Sequence, residues 1–156
     1  MRAILPLLLA VSLPLAAAPL HSQFLPPDDQ SLRQEAPTGQ QLLQVTDYSV
    51  VVGAQRQSDQ QPIPITASLQ IRLKGKPLSK GATISQVLLN FDGEAGKSLK
   101  KPVFDEKSRT LSLNYPVSDY RVVMDLLRNE TVYVQFLTYA NGHIWADLHT
   151  GTVRSR

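Results

Sequence analysis

The sequence contains no cysteine. Its absence excludes disulfide bonds, a thiol nucleophile, a redox dithiol and every zinc site that needs cysteine ligands. It also excludes attachment to a membrane through a lipidated cysteine. Because small exported domains often depend on disulfides, a domain formed by this chain must be stabilised by an ordinary hydrophobic core.

The sequence also lacks a long hydrophobic run. The longest apolar stretch covers residues 3–15 and is interrupted by two prolines, whereas a membrane-spanning helix needs roughly 20 apolar residues. This stretch follows Arg2 and is followed by Ala16-Ala17-Ala18, the basic start and small-residue exit of a secretory signal peptide. We therefore expect residues 1–22 to be a signal peptide, and the mature chain to be periplasmic or secreted without a membrane span.

The chain has little excess of either charge. Sixteen Lys and Arg residues against 13 Asp and Glu residues leave a net charge of +3, which is too small to indicate nucleic-acid binding. Residues 23–40 are rich in Pro, Gln and Asp without apolar periodicity, so we expect a disordered leader there. Residues 41–156 then form one predicted domain.

Short apolar segments bounded by turn residues follow from residue 41 onward, and they predict about seven strands. The expected strands cover residues 42–52, 65–74, 83–91, 103–104, 109–115, 131–140 and 143–150. Strict alternation of apolar and polar residues is clearest in the second of them. The pattern is typical of an antiparallel, immunoglobulin-like β-sandwich, with a half-open barrel as the alternative.

One short helix is expected over residues 118–128. Ser118 is the predicted N-cap, and Asp119 lies at the positive end of the helix dipole. The helix carries one apolar stripe, formed by Tyr120, Val123, Met124 and Leu127. This spacing predicts that the stripe packs on the core.

The last predicted hairpin carries the residues that are best suited to binding or catalysis. Asn141-Gly142 between two apolar strands is the typical signal of a two-residue type I′ turn. Such a turn places Phe136 opposite Asp147, and side chains alternate along each strand. Five candidate site residues then share one face: Phe136, His143, Trp145, Asp147 and His149. The opposite face is the expected core side, with Tyr133, Gln135, Leu137, Tyr139, Ile144, Ala146 and Leu148.

We interpret the first face as a binding surface with Trp145 as its aromatic anchor. Alternatively, Asp147 and His149 form an acid–base pair or two metal ligands; His143 lies roughly 20 Å from His149 along the strand and cannot join them. No nucleophile motif accompanies the pair. If another layer covers the face, Asp147 and His149 are a satisfied buried pair.

The sequence thus predicts an exported, non-catalytic binding or accessory domain of the cell envelope. We expect it to contact another envelope or surface protein, or a glycan, and to use no cofactor, metal or nucleic acid. The alternative is a small hydrolase or metal-binding protein that uses Asp147 and His149.

Overall fold

The computed structural model describes residues 36–53, 69–93 and 99–151. They form seven strands and one α-helix, which confirms the expected mainly β character. The strands are β1 (Gly39–Val52), β2 (Leu69–Pro77), β3 (Gln86–Gly93), β4 (Val103–Asp105), β5 (Thr110–Pro116), β6 (Val132–Thr138) and β7 (Ile144–Thr150), and the helix is α1 (Tyr120–Asn129). The predicted signal peptide, most of the predicted leader and residues 65–68 of the second predicted strand lie outside the described residues.

All seven strands belong to one sheet, in the order β4-β5-β3-β2-β1-β6-β7. Neighbours are antiparallel except β3 and β5, which run parallel. The prediction of an antiparallel sandwich is therefore wrong. The sheet curls into a half-barrel, since the rings of Phe104 on β4 and Phe136 on β6 lie 6.1 Å apart although four strands separate them. Turn residues in the sequence indicate pairing only between consecutive strands. The parallel pairing of β3 with β5 therefore could not be predicted from them, because β4 lies between these strands in the chain.

The hydrophobic core lies on one face of this curled sheet and is covered by α1. Its buried members from the sheet include Leu43, Ile71, Leu89 and Leu111, and α1 adds Val123 and Met124. Tyr120 and Leu127 pack against the same cluster, so the predicted apolar stripe of the helix is confirmed. None of the helices among the described residues is long and apolar enough to cross a membrane.

The helix begins differently from the prediction. A short 3₁₀ helix, Val117–Asp119, precedes α1, and neither helix has a side-chain hydrogen bond at its N-cap. Ser118 donates its hydroxyl hydrogen to Asp119 Oδ1 instead. The predicted N-cap role of Ser118 is therefore wrong, because the tight turn after Pro116 places this serine inside the 3₁₀ helix.

A bulge divides β1 into two halves. Its inner half, residues 39–44, pairs with β6 on one side, and most of the strand pairs with β2 on the other. The register to β2 shifts between Val45 and Asp47. Gly75 lies opposite Val45 inside β2, although it was expected to end that strand. A β-carbon on Gly75 would lie 1.9 Å from the carbonyl oxygen of Gln44, so only glycine allows this close approach of the two backbones.

The turn between β6 and β7 is one residue longer than predicted. Gly142 has a positive φ of 82°, whereas Asn141 does not have a positive φ, which excludes a type I′ turn. The amide of Gly142 donates to the carbonyl of Tyr139, and the amide of Tyr139 donates to the carbonyl of His143. This is the pattern of a type I turn followed by a glycine bulge. The register of the hairpin is consequently shifted by one residue.

Candidate functional site

The shifted register changes which side chains share a face. Leu137 lies opposite Trp145, Gln135 opposite Asp147, and Tyr133 opposite His149. Phe136 pairs with Ala146 and belongs to the main core on the other face. The structure therefore does not place Phe136 beside the other candidate residues, and the expected division of the hairpin into a core face and a site face is wrong for β6.

Three of the five predicted residues do come together, and we call them the hairpin cluster: Trp145, Asp147 and His149. Trp145 Nε1–H donates a hydrogen bond of 2.5 Å to Asp147 Oδ2. The second carboxylate oxygen, Oδ1, is hydrogen-bonded to His149 Nδ1. Because a carboxylate only accepts, the hydrogen of this bond resides on the histidine. Alternation along β7 holds all three side chains on one face of the strand.

The hairpin cluster is largely removed from solvent. The side chains of Asp147 and His149 are 15% and 8% exposed, respectively. The ring of Tyr133 stacks on the His149 imidazole, with ring centroids 5.8 Å apart. Trp145 packs against Leu137 and Tyr139, both buried. Gln135, opposite Asp147, is buried as well. Asp147 and His149 are therefore largely buried and hydrogen-bonded to each other, as expected of a satisfied polar pair.

His143 does not belong to the hairpin cluster. It precedes β7, is exposed, and its backbone amide donates to Asn141 Oδ1 within the turn. Its position at the far end of the strand from His149 agrees with the separation expected from the sequence.

The electrostatic field of Asp147 reaches β5. The pKa of Tyr115 is raised from 10.0 to about 12, chiefly because burial disfavours the phenolate. The negative charges of Asp147 and Asp119 add to this shift. Tyr115 also stacks on Phe91 in the core. The phenol is therefore neutral at physiological pH, and it is close enough to Asp147 to report on its charge.

The hairpin cluster contains an Asp–His pair, which is one part of a catalytic constellation. An acid–base pair needs a nucleophile or a bound water held beside the histidine. His149 contacts Asp147 and the ring of Tyr133. Within the described part of the chain, no group of three or more His, Asp and Glu side chains gathers closely enough to hold a metal ion.

A second feature lies at the far end of β1, and we call residues 47–52 of this strand the open edge. These residues pair with β2, whereas the pairing of β1 with β6 ends at Gln44. Among the described residues no strand pairs with the other side of the open edge. Its apolar side chains are exposed: Tyr48 by 41%, Val50 by 36%, Val51 by 55% and Val52 by 75%.

The open edge extends the core face of the sheet beyond the part that α1 covers. Tyr48 and Val50 lie opposite the fully buried Leu73 and Ile71, so their side chains point to the core side. At the root of the edge, where β6 separates from β1, a pocket of about 250 Å³ opens between Tyr48, Leu127 at the end of α1, and Val132 at the start of β6. Space is thus available next to the unpaired side of the strand.

Residue types alone do not reveal the open edge or the partners of the hairpin cluster on β6. A run of three valines looks like any central strand, and the early end of the β6 pairing leaves no local signal. Tyr133 and Gln135 were expected on the opposite face because the turn was assigned one residue too short. Comparison of the chain with protein-family models, curated proteins and solved structures finds no match.

Proposed function

We propose that this chain is an exported domain of the cell envelope that acts by protein contact and has no catalytic role. Export is inferred from the basic start, apolar centre and small-residue exit of residues 1–18. The observation that carries the contact role is the open edge, a stretch of strand that is paired on one side only by the part of the chain that the structure describes, and that exposes four large apolar side chains.

A free strand edge is a liability for a folded protein, because it can pair with other chains. Folded proteins usually protect such edges with lysine, proline, a very short strand or a covering element. The edge strand β4 follows this rule, since it has three residues and lies between Lys101 and Lys107. Residues 48–52 contain no charge and no proline. An unprotected apolar edge is a surface on which a partner strand gains both backbone hydrogen bonds and apolar contact.

The hairpin cluster supports the non-catalytic part of the proposal. Both carboxylate oxygens of Asp147 accept hydrogen bonds from neighbours on the same strand, and the His149 side chain is buried. A general base must reach the proton that it abstracts from a substrate. The hydrogen bonds and burial of this pair instead favour a structural role at the edge strand β7.

The proposal is tested by capture from the envelope fraction of the source cells with the purified mature chain. The decisive variant is Val51→Lys, which places a charge on the open edge, and its control is Val103→Lys on β4, because these two valines are similarly exposed (55% and 59%). We expect wild type and Val103→Lys to retain the same partner and Val51→Lys to lose it. Equal capture by both variants would show that the open edge is not the contact surface.

A second candidate function rests on one specific observation, the hydrogen bond between His149 and Asp147. This bond is the arrangement that orients a catalytic histidine in a hydrolase. The substitutions Asp147→Asn and His149→Gln nearly conserve side-chain volume. Loss of hydrolysis of an ester or peptide substrate in both variants, with unchanged unfolding temperature, would favour this candidate over the contact role.

A further inference from the structure

We infer that the open edge binds a second copy of this chain, with β1 of each copy paired antiparallel to β1 of the other about a two-fold axis at Val50. This inference rests on the proposed function, because both use the same strand edge, and it names the partner. In such a dimer, the two seven-stranded sheets join into one continuous sheet.

The side-chain pattern of the open edge is complementary to itself. Placing Val50 opposite Val50 of the partner subunit brings Tyr48 opposite Val52 of the partner subunit, and the symmetry repeats this contact. Tyr48, Val50 and Val52 lie on the core side of the sheet, since they pair with Leu73, Ile71 and Leu69 of β2. A two-fold axis perpendicular to the sheet keeps the core sides of both copies together. Aromatic and β-branched pairs across antiparallel strands are among the stabilising ones.

The charges of the edge agree with this register. Asp47 is the charged residue nearest to the stretch, and residues 48–52 contain no charge. Pairing about Val50 places Asp47 opposite Gly53 of the partner subunit, so the two Asp47 side chains lie at opposite ends of the paired segment. Pairing about Ser49 would instead place Asp47 opposite Val51 of the partner subunit. The register centred on Val50 therefore combines apolar contact with separated charges.

The size of the surface predicts a weak dimer. A stable interface buries about 800 Å² on each partner. The open edge is one strand wide, and its apolar area comes from four partly exposed side chains. We therefore expect a dissociation constant in the micromolar range or above, and a monomer–dimer equilibrium that depends on protein concentration.

The absence of cysteine makes a sharp test possible. A residue on the two-fold axis faces itself, so Val50→Cys is expected to form an intermolecular disulfide under mild oxidation. In either type of antiparallel pair the two α-carbons lie about 4.5–5.5 Å apart, within the range of a disulfide. Val51→Cys, which faces Ser49 of the partner subunit, and Val103→Cys on β4 are the matched controls. Both are expected to crosslink at least tenfold more slowly.

Sedimentation of the purified mature chain over a range of concentrations gives the second measurement. We expect the wild type and Val103→Lys to dimerise with increasing concentration, and Val50→Lys to stay monomeric because it brings two lysines face to face. Circular dichroism checks that each variant is folded. If Val50→Lys does not fold, the disulfide test and the wild-type sedimentation still decide the question.

Two results would overturn the inference. One is a wild-type chain that stays monomeric at all concentrations and does not crosslink through position 50. The other is a dimer that Val50→Lys leaves intact, which would place the interface elsewhere. If envelope capture is lost in Val51→Lys while the chain stays monomeric, the contact function stands and its partner is a different protein. If neither dimer nor edge-dependent capture is found, both proposals fail.

Discussion

The β6–β7 hairpin and the open edge of β1 differ in a way that their residue types do not suggest. The hairpin contains the only tryptophan of the chain together with Asp147 and His149, yet these groups satisfy one another and are mostly buried. The open edge contains Asp47, a tyrosine, a serine and three valines, yet it is exposed and, among the described residues, paired on one side. The side chains with the richest chemistry are thus largely buried, whereas the exposed surface of the open edge consists mainly of apolar side chains.

The largest expected effect concerns Gly75, which lies in β2 opposite the bulge of β1. In Gly75→Ala, the new methyl group would lie 1.9 Å from the carbonyl oxygen of Gln44, a backbone atom that cannot rotate away. We expect the free energy of unfolding to fall by about 3 kcal/mol or more. Denaturant unfolding measures it.

The matched control is Gly81→Ala. A β-carbon at Gly81 meets no heavy atom within 4 Å, but the positive φ of 80° is strained for alanine, so we expect a loss of about 1–2 kcal/mol. Equal losses for the two variants would contradict a close backbone approach at Gly75.

The next effect appears only at high pH and concerns the buried phenol of Tyr115. Burial, with the charges of Asp147 and Asp119, raises the pKa of Tyr115 to about 12. In the unfolded chain the phenol ionises near pH 10. The stabilisation is therefore complete below pH 10 and is lost between pH 10 and about 12, by about 2–3 kcal/mol.

Unfolding of wild type and Tyr115→Phe between pH 8 and 12 measures this loss, since phenylalanine keeps the ring and cannot ionise. We expect the difference in stability between the two proteins to change above pH 10 in favour of the variant. Parallel pH profiles would show that the Tyr115 phenol is not held neutral by the fold.

A smaller effect is expected when the acceptor of the hairpin cluster is removed. Asp147→Ala leaves Trp145 Nε1 and His149 Nδ1 without the carboxylate that both contact, which should cost about 1–3 kcal/mol. Asp125→Ala on the exposed face of α1 is the control and should stay within about 0.5 kcal/mol. In Asp147→Asn, the pKa of Tyr115 should move back toward 10. An unchanged stability in Asp147→Ala would contradict the structural role of the cluster.

Local patterns predicted the elements of this fold well, and pairing between distant elements poorly. The helical stripe at Val123 and Met124 and the β4–β5 hairpin follow from spacing that lies within a few residues. The parallel pairing of β3 with β5 and the end of the β6 pairing at Gln44 depend on residues far apart in the chain. No spacing rule reports such contacts.

The candidate site shows the same limit at a single position. Side chains alternate along a single strand, so the expectation that Trp145, Asp147 and His149 lie together did not depend on the register to β6. Phe136 was misplaced because its face depends on the turn, and one additional turn residue reverses the relation between β6 and β7. The φ of Asn141 decides between the two turns, and both are compatible with an Asn-Gly sequence.

The smallest expected effect compares the same substitution inside the core and on the open edge. Val134 is fully buried on β6, and Val52 is 75% exposed. Threonine has the shape of valine with one methyl replaced by a hydroxyl, so the change tests solvent contact with little change in packing. Val134→Thr should destabilise the chain by about 1–3 kcal/mol, because the buried hydroxyl loses its contact with water.

Val52→Thr should change the free energy of unfolding by less than about 0.5 kcal/mol, since its hydroxyl stays hydrated. Denaturant unfolding at a concentration well below the expected dimer midpoint keeps association out of this measurement. A loss at Val52 as large as that at Val134 would mean that the open edge is covered within a single copy of the chain. The surface assigned to contact would then be part of the core, and the distinction between the two regions would disappear.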